Sequence, residues 1–235
     1  MKNTQTSAHA TAAEPQVRRR NLRTWVSDSL HDLFFEVIAL PGKTAQKFIL
    51  DRVFAWKYRV HDPWSLRSSA YEQTRYQRML DLLPDRAYPR VLELGCAEGA
   101  FTHKLADAIA GAQILGVDIS DKAIARAQQI CQDQSQVTLR VMNVLSGLPQ
   151  GPFDLVFCSE VLYYLDRSQR KQLARKLAHA MAPGALLVSS NIFPRAQFLH
   201  RELSRIPSLK LLTEQLFVDE PPGYALALYQ RTVAQ

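Results

Sequence analysis

From residue 90 onward, short apolar runs alternate with helical stretches, and no other feature of the chain limits its fold so much. "RVLELG", "AQILGVDI", "VTLRVMNV", "FDLVFCSEV" and "GALLVSSN" read as strands, while "AFTHKLADAIA", "DKAIARAQQICQ" and "RSQRKQLARKLAHAMAPG" carry helical spacing. Strands separated by helices call for βαβ crossovers, hence a mostly parallel sheet with helices on both faces. The end of the chain departs from that rhythm: after the helix "RAQFLHRELSRI", "LKLLTEQLFV" and "YALALYQRT" are joined by the short turn "DEPPG". So short a connection makes the two strands antiparallel neighbours.

Ahead of the sheet the pattern differs. Residues 1–16 are small, polar and aperiodic, the composition of a disordered tail. Residues 17–89 read as a helical arm. In it Leu22, Val26, Leu30, Leu33, Phe34, Val37 and Ile38 recur at helical spacing, and a second amphipathic stretch runs from Phe48 to Tyr58. A third helix follows Ser68 or Ser69 as N-cap. The stripes of the first two either pack outside the core or form a lid over a pocket. Residues 90–235 form the sheet-bearing domain, long enough for one well-buried core.

The net charge is +7, and it is unevenly placed. Residues 1–60 hold ten Lys/Arg against five Asp/Glu, so the basic surplus belongs to the arm and not to the sheet domain. Arg18 to Arg20 form the one tight basic cluster, which is thin support for a nucleic-acid partner. "RRRNLRTW" looks like an export signal, but Asp28, His31, Asp32 and Glu36 follow where an uncharged core would lie, so the segment reads as an amphipathic helix. No apolar run approaches the roughly 18 residues of a membrane span. Cys96, Cys131 and Cys158 are odd in number and lack metal or CxxC spacing, which points to a reducing, cytoplasmic setting with neither disulfides nor a metal site.

Ligands of an open parallel sheet bind at the carboxyl ends of strands, beside the reversal of strand order. "VLELGCAEGAFT" (91–102) stands at the carboxyl end of the first strand, with Gly95, Ala97 and Gly99 as G-x-A-x-G. The dinucleotide fingerprint needs G-x-G-x-x-G, so a pyrophosphate cradle is not what the turn provides. Small residues still let a flat or zwitterionic ligand approach the backbone. Glu93 inside the strand needs hydrogen bonds or a cation nearby. Asp118, ending the next strand, can take both hydroxyls of a ribose. An adenosine without phosphate, bearing a positive group, suits the pair.

With those residues in view, residues 90–230 resemble the class I S-adenosylmethionine-dependent methyltransferases, whose sheet is Rossmann-like with an antiparallel last strand. "VLELGCAEGAFT" looks like their first motif, "GVDIS" like their ribose-binding acid, and "FDLVFCSEVLYYL" like the strand lining the active site. Within that superfamily the chain resembles the NodS-like nodulation N-methyltransferases through "GCAEGAFT", "EVLYYL", and the upstream "DPW", "YE" and Arg75. The resemblance implies S-adenosylmethionine as cofactor. It places Gly95, Ala97 and Gly99 along the methionine part, Asp118 on the ribose, Ile119 on the adenine, and Asn143 with Val144 at the adenine amino group. Asn143 stands where Asp is usual, and its amide oxygen can still accept that hydrogen bond.

Methyl transfer from a sulfonium is an in-line displacement that needs positioning and a dry pocket, not a metal. Tyr163 and Tyr164 supply aromatic faces tolerant of a cation, one expected in the core and the other on the pocket. Glu160 either orients an amine and takes its proton or caps the following helix. Tyr71 and Arg75 share a helical face, Arg75 matching the cofactor carboxylate or else forming a surface ion pair. Trp64 either walls the site or staples its loop. His200 is an alternative base or a solvent-facing histidine.

The expected activity is methylation of a small molecule, on nitrogen, with an amine or amino sugar as acceptor and a place in secondary metabolism. Two alternatives use the same residues. By resemblance to the azetidine-2-carboxylate synthases, the cofactor's own amine would attack its γ-carbon and release methylthioadenosine. Otherwise the site is vestigial and the chain is a binding module.

Overall fold

The computed structural model describes residues 43–220 and 222–232. The expected tail at 1–16 and the first amphipathic stretch of the arm, Leu22 to Ile38, lie outside the described residues. The second stretch is helix α1 (Lys43–Lys57), and the helix after "DPW" is α2 (Ala70–Asp81). Ser69 is its N-cap in extended conformation, and Tyr76 and Met79, three apart, are buried beneath it.

The alternating region follows the order β1 (Arg90–Leu94), α3 (Ala100–Ala108), β2 (Gln113–Asp118), α4 (Asp121–Ile130), β3 (Val137–Val141), β4 (Phe153–Ser159), α5 (Arg167–Ala180), β5 (Met181–Ile192), α6 (Ala196–Leu203), β6 (Leu209–Phe217) and β7 (Tyr224–Arg231). A single 3-10 turn, Leu162–Tyr164, stands between β4 and α5. Local chemistry sets the helix starts: Ser120 accepts from the Ala123 amide at α4, and Asp166 with Gln169 forms a reciprocal capping box at α5.

The seven strands lie in the order β3-β2-β1-β4-β5-β7-β6. All pair in parallel except β7, which runs antiparallel to both β5 and β6. This is the Rossmann-like class I methyltransferase sheet, with its antiparallel last strand inserted next to β5.

Why the strands read as unbroken apolar runs is visible in their two faces. Leu92, Val156, Leu187 and Tyr229 point into one apolar cluster, with Leu173 and Leu177 of α5 and Leu199 of α6. Val91, Leu155, Leu186 and Leu228 point into the other, with Tyr76 and Met79 of α2 and Phe101 and Leu105 of α3. Strands covered on both sides have no polar face to alternate with. Among the described residues no helix is long and apolar enough to cross a membrane.

Candidate active site

The chain leaves β1 toward β2 on one side and returns to β4 on the other, so the carboxyl ends of β1 and β4 open a crevice between them. The turn after β1 is shaped for that crevice. The Gly95 and Cys96 amides both donate to the Val117 carbonyl at 2.8 and 3.1 Å, and Gly95 has φ +72. A Cβ there would stand 2.5 Å from Val161 Cγ2. Ala97 holds φ +47, a conformation uncommon for a residue with a side chain, and its amide donates to Asp118 Oδ2 at 3.0 Å. Asp118 Oδ1 accepts from the Ser120 amide at 2.9 Å, so the acid at the end of β2 locks the turn at the end of β1.

A cavity of about 320 Å³ occupies the crevice, within the size range of small-molecule sites. Tyr71, Arg75, Glu93, Gly95, Ala97, Asp118, Ile119, Asn143, Val144, Glu160, Tyr163 and Tyr164 all line it. Gly99 is the exception among the expected site residues. It is the N-cap of α3 at φ +82, and a Cβ there would meet Ala127 Cβ at 2.9 Å, so its role is close packing of α3 on α4.

The roof of the cavity comes from the arm. Leu50 and Phe54 of α1, then Tyr58, Trp64 and Leu66, line it on that side. Phe54 stands edge-on to Tyr164 with ring centroids 5.3 Å apart, and Tyr58 edge-on to Trp64 at 5.2 Å. Burial first, then the Asp118 charge, push the Tyr58 phenol well above its ordinary range.

Glu72, Glu93, Asp118 and Glu160 line the cavity, and burial acts on the last three in the same direction. Glu93 Oε2 accepts from Thr102 Oγ1 at 2.6 Å, and burial pushes Glu93 up to about 7. Burial also raises Asp118, against the pull of the backbone amides that it accepts from. Glu160 follows β4 at φ +56, with its amide donating to the Ser190 carbonyl at 2.9 Å. Its Oε1 accepts from Arg75 Nη1 at 3.1 Å, while Oε2 is buried without a partner. Burial pushes Glu160 up to about 7, with the Arg75 charge opposing. Glu160 does not cap the turn that follows, whose N-cap is Val161 with no side-chain bond.

Arg75 is neither a surface ion pair nor an open clamp. Its side chain is 3% exposed, Nε donates to Glu72 Oε2 at 3.0 Å, and Nη1 donates to Ser159 Oγ, Glu160 Oε1 and Ser190 Oγ at 3.0 to 3.1 Å. The guanidinium joins α2 to β4 and β5, so a ligand carboxylate there competes with two carboxylates of the chain. Four residues before it, Tyr71 has its hydroxyl buried with no partner. Both tyrosines after β4 line the cavity, and Tyr163 also packs against the core cluster that includes α5: their hydroxyls lie 3.2 Å apart, and Tyr164 packs on α1. Asn143 Oδ1 accepts from the Leu145 amide at 2.9 Å, which uses one of the two lone pairs of that oxygen.

His200 departs from the solvent-facing expectation. It is buried on α6, Nδ1 lies 2.6 Å from Glu214 Oε1 and Nε2 lies 3.2 Å from Asn191 Nδ2, and it is not part of the cavity wall. The three cysteines are free and buried, and among the described residues no group of His, Cys, Asp or Glu is arranged to hold a metal.

Sequence reasoning passed over Glu98 and Arg126. Glu98 lies inside the quoted turn, an acid between Ala97 and Gly99, and it pairs with Arg126 of α4. Its signal was the one charged residue in a turn of small ones.

Comparison with known proteins adds to this geometry. The family described as Nodulation protein S (NodS) matches residues 48–191. Nodulation protein S of Sinorhizobium fredii is 37% identical over 129 residues, covering 54% of this chain and 59% of that protein. Nodulation protein S of Bradyrhizobium diazoefficiens is 35% identical over 131 residues, covering 55% and 62%. The chain thus spans about three-fifths of the length of these curated relatives. The crystal structure of N-methyltransferase NodS from Bradyrhizobium japonicum in complex with S-adenosyl-L-homocysteine superposes with TM-score 0.69 at 27% identity, covering 77% of this chain and 97% of that one.

Proposed function

The chain belongs to the NodS family, and from that premise we propose that it is an S-adenosylmethionine-dependent methyltransferase acting on the nitrogen of a small amine, amino sugars included. The observation that carries the amine is Glu160: a cavity-lining carboxyl, one oxygen held by Arg75 and the other without a partner, titrating about 7.

The residues present fit the cofactor. The Asp118 carboxylate at the end of β2 meets a ribose diol, and Ile119, Met142 and Val144 offer an apolar slot for an adenine beside Asn143. Gly95 and Ala97 bring bare backbone to the methionine end. The partnerless Tyr71 hydroxyl offers a bond to its amino acid group. When bound, the cofactor supplies an electrophilic methyl on a sulfonium.

What the chain does around that methyl follows from its own groups. Phe54, Tyr58 and Trp64 keep water from the crevice. The faces of Tyr163 and Tyr164 tolerate positive charge. An acceptor arriving as an ammonium gives a proton to Glu160 Oε2 and attacks as the free amine; the N–C bond forms as the S–C bond breaks, and S-adenosylhomocysteine leaves. A group titrating near 7 is suited to take that proton at neutral pH and return it to solvent between turnovers.

Incubation with S-adenosylmethionine, alone and with a panel of small amines and glucosamine, tests the reading. S-adenosylhomocysteine that appears only with an amine supports it. Methylthioadenosine with a cyclic amino acid, formed without any acceptor, replaces it with cyclisation. No product together with no calorimetric binding of S-adenosylhomocysteine leaves a binding module.

A further inference from the structure

Arg126 reaches from α4 to the segment that follows α1. Its Nη1 donates to the Val60 carbonyl at 2.6 Å and to Glu98 Oε1, and its Nη2 donates to the Tyr58 carbonyl at 2.9 Å. Glu98 uses its other oxygen to accept the Asp62 amide at 2.8 Å. A single, largely desolvated ion pair thereby holds three backbone groups of residues 58–62. Neither of its two side chains lines the cavity.

The segment it holds is tied within itself by hydrogen bonds. Asp62 and Ser65 have φ +47 and +56, and the Asp62 carboxylate accepts from the Arg67 and Ser68 amides and the Ser68 hydroxyl. Pulling on residues 58–62 therefore moves the loop as a body up to the start of α2. What that body carries into the cavity is Tyr58 and Trp64, with Phe54 packed against both. Glu98 itself lies between Ala97 and Gly99, in the turn that Asp118 locks to β2.

We infer that the Glu98–Arg126 pair is a latch that ties the aromatic roof to the turn after β1 and slows escape of the nucleoside held beneath it. Arg126 is then a positioning residue for ligand retention. The inference rests on reading the cavity as the S-adenosyl site. The pair acts through geometry that a lysine cannot reproduce, because one ammonium does not span a carboxylate and two carbonyls as a planar guanidinium does.

The test uses the full chain, S-adenosylhomocysteine as probe, and the variants Arg126→Met, Arg126→Lys and Glu98→Gln. Dissociation is followed by displacement in stopped flow, and backbone hydrogen exchange is measured without ligand. Arg126→Met should release the probe roughly tenfold faster or more, as loss of charge-assisted bonds to a lid implies. Arg126→Lys and Glu98→Gln should fall between it and the wild type. Exchange should quicken at residues 58–66 and stay unchanged in β1, β4 and β5. A wild-type release rate in Arg126→Met overturns the latch, and so does faster exchange throughout the sheet, which would make the pair a general tie of the fold. If the wild-type chain binds no S-adenosylhomocysteine, the reading of the cavity falls, and the latch falls with it.

Discussion

The Arg75 guanidinium holds Glu160 by one carboxylate oxygen, Nη1 to Oε1 at 3.1 Å, and leaves Oε2 buried without a hydrogen-bond partner. A carboxyl anchored through one oxygen and unbonded at the other can take a proton without losing its place. Glu160→Gln keeps the anchoring oxygen and removes the base. We expect kcat for amine methylation to fall by roughly 10²–10⁴-fold, with affinity for S-adenosylhomocysteine changed little. The wild-type rate should rise with pH through about 7, where Glu160 ionises, and that limb should vanish in the variant. Unchanged kcat in Glu160→Gln would remove Glu160 from the chemistry.

Glu93 gives a stability prediction of definite sign. Burial pushes it up to about 7 in the folded chain, while in the unfolded chain it titrates in the usual carboxylate range. Between those values the folded state keeps a proton that the unfolded state has released, so stability falls as pH rises through the window and stays low above it. Glu93→Gln retains an acceptor for Thr102 Oγ1 and has no proton to lose. Without ligand, the variant should match the wild type near pH 4 and exceed it at pH 8 by up to about 3 kcal/mol. Urea unfolding at the two pH values checks this. Asp118 and Glu160 shift in the same direction, so the difference between variant and wild type is the quantity that isolates Glu93.

The central strands were legible because helices cover both faces of the sheet there and leave them largely apolar, as Val91 and Leu92 show by pointing to opposite clusters. Tyr71 and Arg75 were legible as one helical face, since a spacing of four is a local property. Their partners were not. Ser159 and Ser190 lie 84 and 115 positions from Arg75, and strand order alone brings them together. The hold of Arg126 on Tyr58 and Val60 left no trace in residue type, because the acceptors are backbone carbonyls that every residue carries. His200 was misjudged because Glu214, which covers it, arrives on β6, fourteen residues later.

Gly95 brings the turn against the segment that follows β4. A methyl group there meets Val161 Cγ2 at 2.5 Å on a backbone at φ +72, so Gly95→Ala carries both a clash and a strained conformation. Val161→Ala removes the atom that clashes but does nothing for the backbone. Gly95→Ala should weaken S-adenosylhomocysteine binding and lower stability by about 1–3 kcal/mol. The double variant should recover part of each loss and stop short of wild type. Full recovery would mean that the left-handed conformation costs nothing here, and no recovery that the Val161 contact is irrelevant; calorimetry with thermal melting separates the cases.

His200 belongs to the packing of α6 on the sheet, and its predicted signature is a change in stability with no change in activity. In the neutral ring, Nδ1–H donates to Glu214 Oε1 and Nε2 accepts from Asn191 Nδ2, an assignment that satisfies both nitrogens. The Tyr229 hydroxyl donates to the His200 carbonyl at 2.8 Å, fixing the helix to β7 at the same point. Burial lowers the His200 pKa, with the Glu214 hydrogen bond opposing. The unfolded chain therefore takes up the proton more readily than the folded chain, and the stability His200 contributes is fully present above its ordinary range and lost as pH falls through it. At pH 8, His200→Gln should be less stable than wild type by about 1–3 kcal/mol, the cost of disturbing two buried hydrogen bonds. The gap should narrow below about pH 6.5, where the wild-type ring has a proton to gain on unfolding and the amide does not. Because the side chain is outside the cavity wall, kcat and KM for amine methylation should stay within about twofold of wild type once stability is matched by temperature. A large fall in kcat with KM unchanged would return His200 to the chemistry as a base.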